Sequence, residues 1–281
     1  METREFVIRV SEEGVKCGVI RLDDRVEFVY HKSQNDWLEH IHAYAKKVAT
    51  LPVFIHGLWG DKPKIYRKMV NKVSADIFPE YPLVLHIVWE GKNTYRNNHD
   101  LIDTDYAPKV SKLMIMVDKM LNRPNINILA HSMGSRMMVQ VFKNVMKGRN
   151  ESQKYNLVLA AADLPVDMCN EFIDQYIRDI DQIHLLYNPK DITLKLANFR
   201  KKYKRTGLEG CKKSKFNVHN HLIAKQKDEE IFLSSIFGHR YFYSSPKIRT
   251  LIKDLFYDAV EGEIFRRDEI GGLKIHIDEL E

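Results

Sequence analysis

The rhythm of apolar residues along this 281-residue chain changes near position 50. Before it, EFVIRV, CGVIRL and RVEFVY are short, roughly alternating and rich in β-branched and aromatic residues, with EEG and DD as turns between them. That pattern predicts an antiparallel β-meander over residues 4–30. NDWLEHIHAYAKKV (35–48) then carries apolar residues at helical spacing. From position 50 come five short continuous apolar runs: LPVFIHG, PLVLHIVWEG, INILAHSMG, NLVLAAAD and IHLLYNPKD. Runs of this length suit strands buried on both faces, as in a parallel sheet. Between them KIYRKMVNKVSADI, APKVSKLMIMVDKMLN, SRMMVQVFKNVMKG and DMCNEFIDQYIRDI read as helices. Strands alternating with helices imply βαβ units, hence an α/β fold with a mostly parallel, doubly wound sheet.

Residues 192–235 break that alternation. They are basic and polar and lack a clean helical stripe, although FNVHNHLIAK reads as one more strand. SSPKIRTLIKDLFYDAV predicts an amphipathic helix with a Ser-Pro start. The charged tail GEIFRRDEIGGLKIHIDELE holds a candidate hairpin turn at Gly271-Gly272. The implied organisation is a single domain over 1–260, with 192–235 as a basic insert and candidate lid, and 261–281 as a charged tail.

Composition narrows the function classes. Hydrophobic residues make up 44% of the chain, enough for a sizeable core. No apolar run approaches the roughly 18 residues that suggest a membrane span. METREFVIRV has no signal-peptide core. The three cysteines, Cys17, Cys169 and Cys211, are widely spaced and odd in number, which argues against a disulfide framework or a metal site. Cys169 reads as core. A cytoplasmic, reduced protein is the expectation. The net charge of +6 is concentrated in Arg200–Arg205 with Lys212, Lys213 and Lys215. Sparse aromatic interleaving argues against a nucleic-acid partner. A solvated or anion-attracting face is expected instead, with membrane-surface association as an alternative. A homo-oligomer is compatible with the sequence.

The strongest chemical signal is INILAHSMGSRMM, where an apolar strand runs into His-Ser-Met-Gly and then a helix. That context predicts a nucleophile elbow at Ser132, whose tight turn needs small residues on both sides. Ala130 and Gly134 supply them, with alanine in place of the usual first glycine. A serine hydroxyl needs a base, and the base needs an orienting acid. In this fold class the order along the chain is Ser, acid, His. His239, after Gly238 in a loop before the last helix, is the candidate base. Asp191, after the IHLLYNPKD strand, is the candidate acid, and Asp163, one strand earlier, is the rival. For an oxyanion hole the expected donors are the N–H groups of Met133 and of Leu58, after the His56-Gly57 strand end. His56, Trp59 and Trp89 lie at strand ends and are candidate pocket-lining residues, although His56 also suits a hydrogen bond to loop backbone. His131 reads as a packing residue of the elbow.

HG after the first long parallel strand, AHSMGSR, LVLAAADLPVDMCNEFI, LLYNPKDITL and GHRYF follow one another in order. Over about residues 50–257 this resembles the α/β-hydrolase superfamily, and closely an uncharacterised bacterial α/β-hydrolase family with an AHSMG elbow. The resemblance implies Ser132 as nucleophile, Asp191 as acid and His239 as base. The expected function is a serine hydrolase acting on an ester or related acyl bond of a small molecule, with no metal or organic cofactor needed. A catalytically inactive binding or scaffold protein on the same fold is the alternative.

Overall fold

In a computed structural model, described for residues 4–22, 26–45, 49–58, 62–92, 95–121, 125–147, 155–201, 203–213, 215, 217–223, 238–257, 265–267 and 273–275, the chain forms two compact units. The first comprises Met1–Leu129 with Arg136–Lys154, and the second Ala130–Ser135 with Tyr155–Glu281.

In the first unit the alternating N-terminal segments form β1 (Arg4–Ser11), β2 (Gly14–Leu22) and β3 (Val26–Tyr30), paired antiparallel as the meander pattern predicts. Helix α1 (Gln34–Ala45) follows, and its Trp37 indole donates to the Gly18 carbonyl at 2.9 Å. The apolar runs then give β4 (Thr50–Ile55), β5 (Leu83–Trp89) and β6 (Asn125–His131). The strand order is β3-β2-β1-β5-β4-β6, and β1 pairs parallel with β5, so the meander continues the parallel part of the sheet. All seven residues of β5 are buried, which is why it reads as an unbroken apolar run.

Helices α2 (Pro63–Lys72), α3 (Tyr95–Leu101) and α4 (Ala107–Met120) connect these strands. α2 ends in a wider π-type turn over Val73–Ile77, and a second such turn, Ile102–Tyr106, joins α3 to α4. α3 escapes the sequence pattern because Arg96-Asn97-Asn98-His99-Asp100 offers no apolar stripe.

Strand β6 starts in the first unit, and its last two residues, Ala130 and His131, belong to the second. Helix α5 (Gly134–Met146) begins three residues after β6 ends. The second unit contains β7 (Tyr155–Ala160), β8 (Ile180–Tyr187) and β9 (Val218–Ile223), parallel neighbours in that order. Beside β9 lies β11 (Leu273–Ile275), paired antiparallel with β10 (Phe265–Arg267). Helix α6 (Val166–Tyr176) links β7 to β8, and Pro246–Tyr257 forms the final long helix.

The basic insert is more ordered than its composition suggests. It contains α7 (Ile192–Lys201), α8 (Thr206–Glu209) and β9, while 224–237 lies outside the described residues. Backbone hydrogen bonds tie it down: Thr206 N–H donates to Leu164 O, Gly207 N–H to Ala162 O and Asn188 N–H to Gly207 O, each at 2.9 Å. Gly207 permits that approach, since a Cβ there would lie 2.6 Å from the Ala162 nitrogen. Among the described residues no helix is long and apolar enough to cross a membrane. None of them forms a cluster of three or more His, Cys, Asp or Glu that could hold a metal ion.

Candidate active site

The second unit brings Ser132, His239 and Asp191 together. Ser132 follows β6 and takes a left-handed backbone conformation with φ 53°. A non-glycine residue there costs on the order of 1–2 kcal/mol, so the surroundings must hold it. Its N–H donates to Ala160 O at 2.9 Å, and its carbonyl accepts from Ser135 and Asp163, both at 3.0 Å. These bonds turn the side chain out of the strand just before α5 begins.

Asp191 stands between β8 and α7 and is fully buried. Each carboxylate oxygen has its own partner. Oδ1 accepts from the Leu194 N–H at 2.9 Å, capping the first turn of α7, and Oδ2 lies 2.7 Å from His239 Nδ1. The cap holds the carboxylate independently of the imidazole. His239 follows Gly238, whose φ of +70° suits a residue without a Cβ. Its Nε2 lies 2.9 Å from Ser132 Oγ. Because a carboxylate only accepts, Nδ1 carries the proton and Nε2 presents its lone pair to the hydroxyl. Ser132 and His239 keep 7% and 8% of their surface exposed, so this end of the relay is nearly but not wholly sealed.

Three side chains that the sequence did not mark as positioning groups brace this arrangement. His131 Nε2 donates to the His239 carbonyl at 3.0 Å, and Asn188 Nδ2 donates to the Gly238 carbonyl at 3.3 Å. The Tyr241 hydroxyl accepts from Ala161 N–H and donates to Leu186 O, both at 2.7 Å. Burial raises the Tyr241 pKa well above its ordinary value, with the Asp191 charge adding to it, so the hydroxyl stays a donor. The sequence signals were thin: a histidine beside the serine, an Asn-Pro turn and an aromatic two residues after His239.

Met133 directly precedes α5, whose first amides have no intrahelical acceptor. Asp163 forms a buried ion pair with Arg205, whose guanidinium also donates to Asn198 Oδ1 at 2.9 Å and Ala197 O at 3.0 Å. The rival acid thus ties the insert to the end of β7, and the partner of His239 Nδ1 is Asp191.

The other candidates lie in the first unit. Leu58 is a partly exposed turn residue after β4, and Trp59 lies outside the described residues. His56 and Trp89 are fully buried, with rings stacked at 5.5 Å and 3°. His56 Nδ1 donates to Gly57 O at 2.5 Å, while its Nε2 accepts from the Trp89 N–H at 3.0 Å. Burial pushes the His56 imidazole down to about 4, so it stays neutral and laces the end of β4 to that of β5.

A family model described as "Alpha/beta hydrolase of unknown function (DUF900)" matches residues 32–254. The chain belongs to this family. The match spans α1 through most of the final long helix and includes Ser132, Asp191 and His239, while β1–β3 precede it. The mostly parallel strands, antiparallel edge strands and connecting helices are those of an α/β-hydrolase fold. Among solved structures the chain is similar to the crystal structure of the lin2722 gene product from Listeria innocua. The identity is 10% over 81% of this chain and 98% of that one, with a TM-score of 0.43. No curated protein matches the sequence.

Proposed function

We propose that this α/β hydrolase is a serine hydrolase that cleaves a carboxylic ester or related acyl bond through an acyl-enzyme. The observation that carries the reading is the unbroken relay from Ser132 Oγ through His239 to Asp191, with contacts of 2.9 and 2.7 Å. The left-handed turn at Ser132 supports it further. Ser132 Oγ attacks the acyl carbon while His239 Nε2 takes its proton. Asp191 holds the other ring proton at Nδ1, which keeps the tautomer correct and stabilises the imidazolium that forms. The Met133 N–H, with the positive end of α5 behind it, receives the developing negative charge on the carbonyl oxygen. Collapse of the tetrahedral species passes the proton from Nε2 to the leaving group. Water then attacks the acyl-enzyme, with His239 again the base, and Ser132 recovers its proton. The scheme needs no metal or organic cofactor.

A fluorophosphonate probe tests the reading. Labelling of the wild-type protein and none of Ser132→Ala is the expected result; equal labelling of the variant would overturn it. A panel of p-nitrophenyl esters of increasing chain length then ranks the acyl groups accepted.

A further inference from the structure

The turn that carries His239 is tied to the turns that carry its two partners. The carbonyl of Gly238 accepts from Asn188, and the next carbonyl, that of His239, accepts from His131. Asn188 caps the approach to the acid, since the Asp191 N–H donates to its carbonyl at 3.0 Å. His131 directly precedes Ser132 in the chain.

Two closed rings of covalent and hydrogen bonds result. One runs from Asp191 through the His239 ring, the Gly238 carbonyl and Asn188 back to Asp191. The other runs from Ser132 Oγ through the His239 ring to the His239 carbonyl, then to the His131 ring, and back across one peptide bond. The second ring contains the 2.9 Å contact over which the proton would move. A backbone carbonyl only accepts, so His131 Nε2 carries a proton and acts as a donor, not as a second base. The His131 ring is buried, 4.9 Å from the His239 ring and 4.4 Å from the Phe242 ring.

We propose that His131 is a positioning residue for the reaction: its N–H holds the His239 carbonyl and thereby sets the distance from His239 Nε2 to Ser132 Oγ. This rests on the serine-hydrolase reading. Effective proton transfer needs hydrogen-bond distance and alignment, and a displacement of about 1 Å can cost on the order of 10²-fold in rate.

Two variants separate the donor from the bulk. His131→Gln keeps a side-chain N–H and loses the ring. His131→Phe keeps an aromatic ring against Phe242 and loses the N–H. Ester hydrolysis and the rate of fluorophosphonate labelling are measured on both, beside melting temperature. His131→Phe is expected to lose about tenfold to a hundredfold in kcat at unchanged KM and to label correspondingly slowly, while His131→Gln recovers most of the loss. His131→Leu replaces the Phe variant if that one does not fold. A donor-less variant as fast as wild type would overturn the proposal, as would a folded Gln variant as slow as the Phe variant. Wild-type protein that fails to label at Ser132 defeats the serine-hydrolase reading itself, a result visible before any His131 variant is compared.

Discussion

Each unit buries an imidazole against a carboxylate, yet the two pairs have different surroundings. In the first unit His86 Nε2 lies 2.5 Å from Glu5 Oε2, with side chains 0% and 4% exposed. In the second His239 Nδ1 lies 2.7 Å from Asp191 Oδ2. His86 sits inside β5 beside β1, and the rings of Phe54 and Tyr66 pack edge-on around it. Its remaining nitrogen, Nδ1, has no hydrogen-bond partner among the described residues. His239 stands on a turn, and its remaining nitrogen meets a hydroxyl. A carboxylate–imidazole pair is therefore a structural part available to any core. What distinguishes the second pair is its place at strand ends, where turns can direct a third side chain to the ring and leave a small opening to solvent.

Perturbing the pairs separately should show activity failing in one unit and stability in the other. The largest effect is expected from His239→Ala, which should lower kcat by about 10⁴–10⁶-fold with little change in melting temperature, as losses of triad members do. Ester hydrolysis and calorimetry on the same preparation check this; retained turnover would put the base elsewhere. The two candidate acids should then part. Asp191→Asn should cost about 10⁴ in kcat through the wrong tautomer. Asp163→Asn should instead leave the Arg205 charge buried without its carboxylate and destabilise by about 3–5 kcal/mol, with turnover per folded molecule nearly unchanged. Urea denaturation beside kinetics separates them, and a reversed pattern would make Asp163 the acid. Smaller again is Glu5→Leu, which removes the acceptor of a buried N–H and should cost about 1–3 kcal/mol while sparing kcat.

Spread over pH instead of following one substitution is a dependence of stability on histidines buried as neutral rings. Burial holds His56 at about 4, and burial with the neighbouring His219 holds His221 at about 3, both below the ordinary value of 6.5. Unfolded chains take up these protons near pH 6.5 and the folded protein does not. The stability they contribute is complete above that pH and declines as pH falls through 6.5 toward 4 and 3. Each contributes a slope of about 1.4 kcal/mol per pH unit within its window. Replacing His221 with Phe should flatten the decline between pH 6.5 and 4 by one proton; urea midpoints that fail to move between pH 7 and pH 5 would contradict the assignment.

The fold was legible where burial on both faces writes itself as an apolar run. β4 to β8 each overlap one of the five segments picked out by pattern, although β8 starts three residues before its segment. Helix α3 was not, because its residues carry no stripe, and neither was α7, whose start is set by the Asp191 cap. Ser132, His239 and Asp191 could be proposed from spacing because a turn between strand and helix constrains residue types locally. His131, Asn188 and Tyr241 could not, because each acts on backbone distant in sequence, and a carbonyl accepts a hydrogen bond whatever its side chain. The Asp163–Arg205 pair was hidden for a related reason: Arg205 belongs to a run of cations that composition alone assigns to solvent, yet it is 0% exposed.

Anyone trimming this protein should not cut the cationic stretch between α7 and β9 as an expendable loop. Its main chain completes the hydrogen bonding of Ala162 and Leu164, and Asn220 clasps Cys211 from both sides, accepting at 2.7 Å and donating at 2.9 Å. Excision would strip the counter-charge from Asp163, the residue whose own N–H holds the Ser132 carbonyl. A deletion intended to open the protein would instead unfasten the ground on which the Ser132 hydroxyl stands.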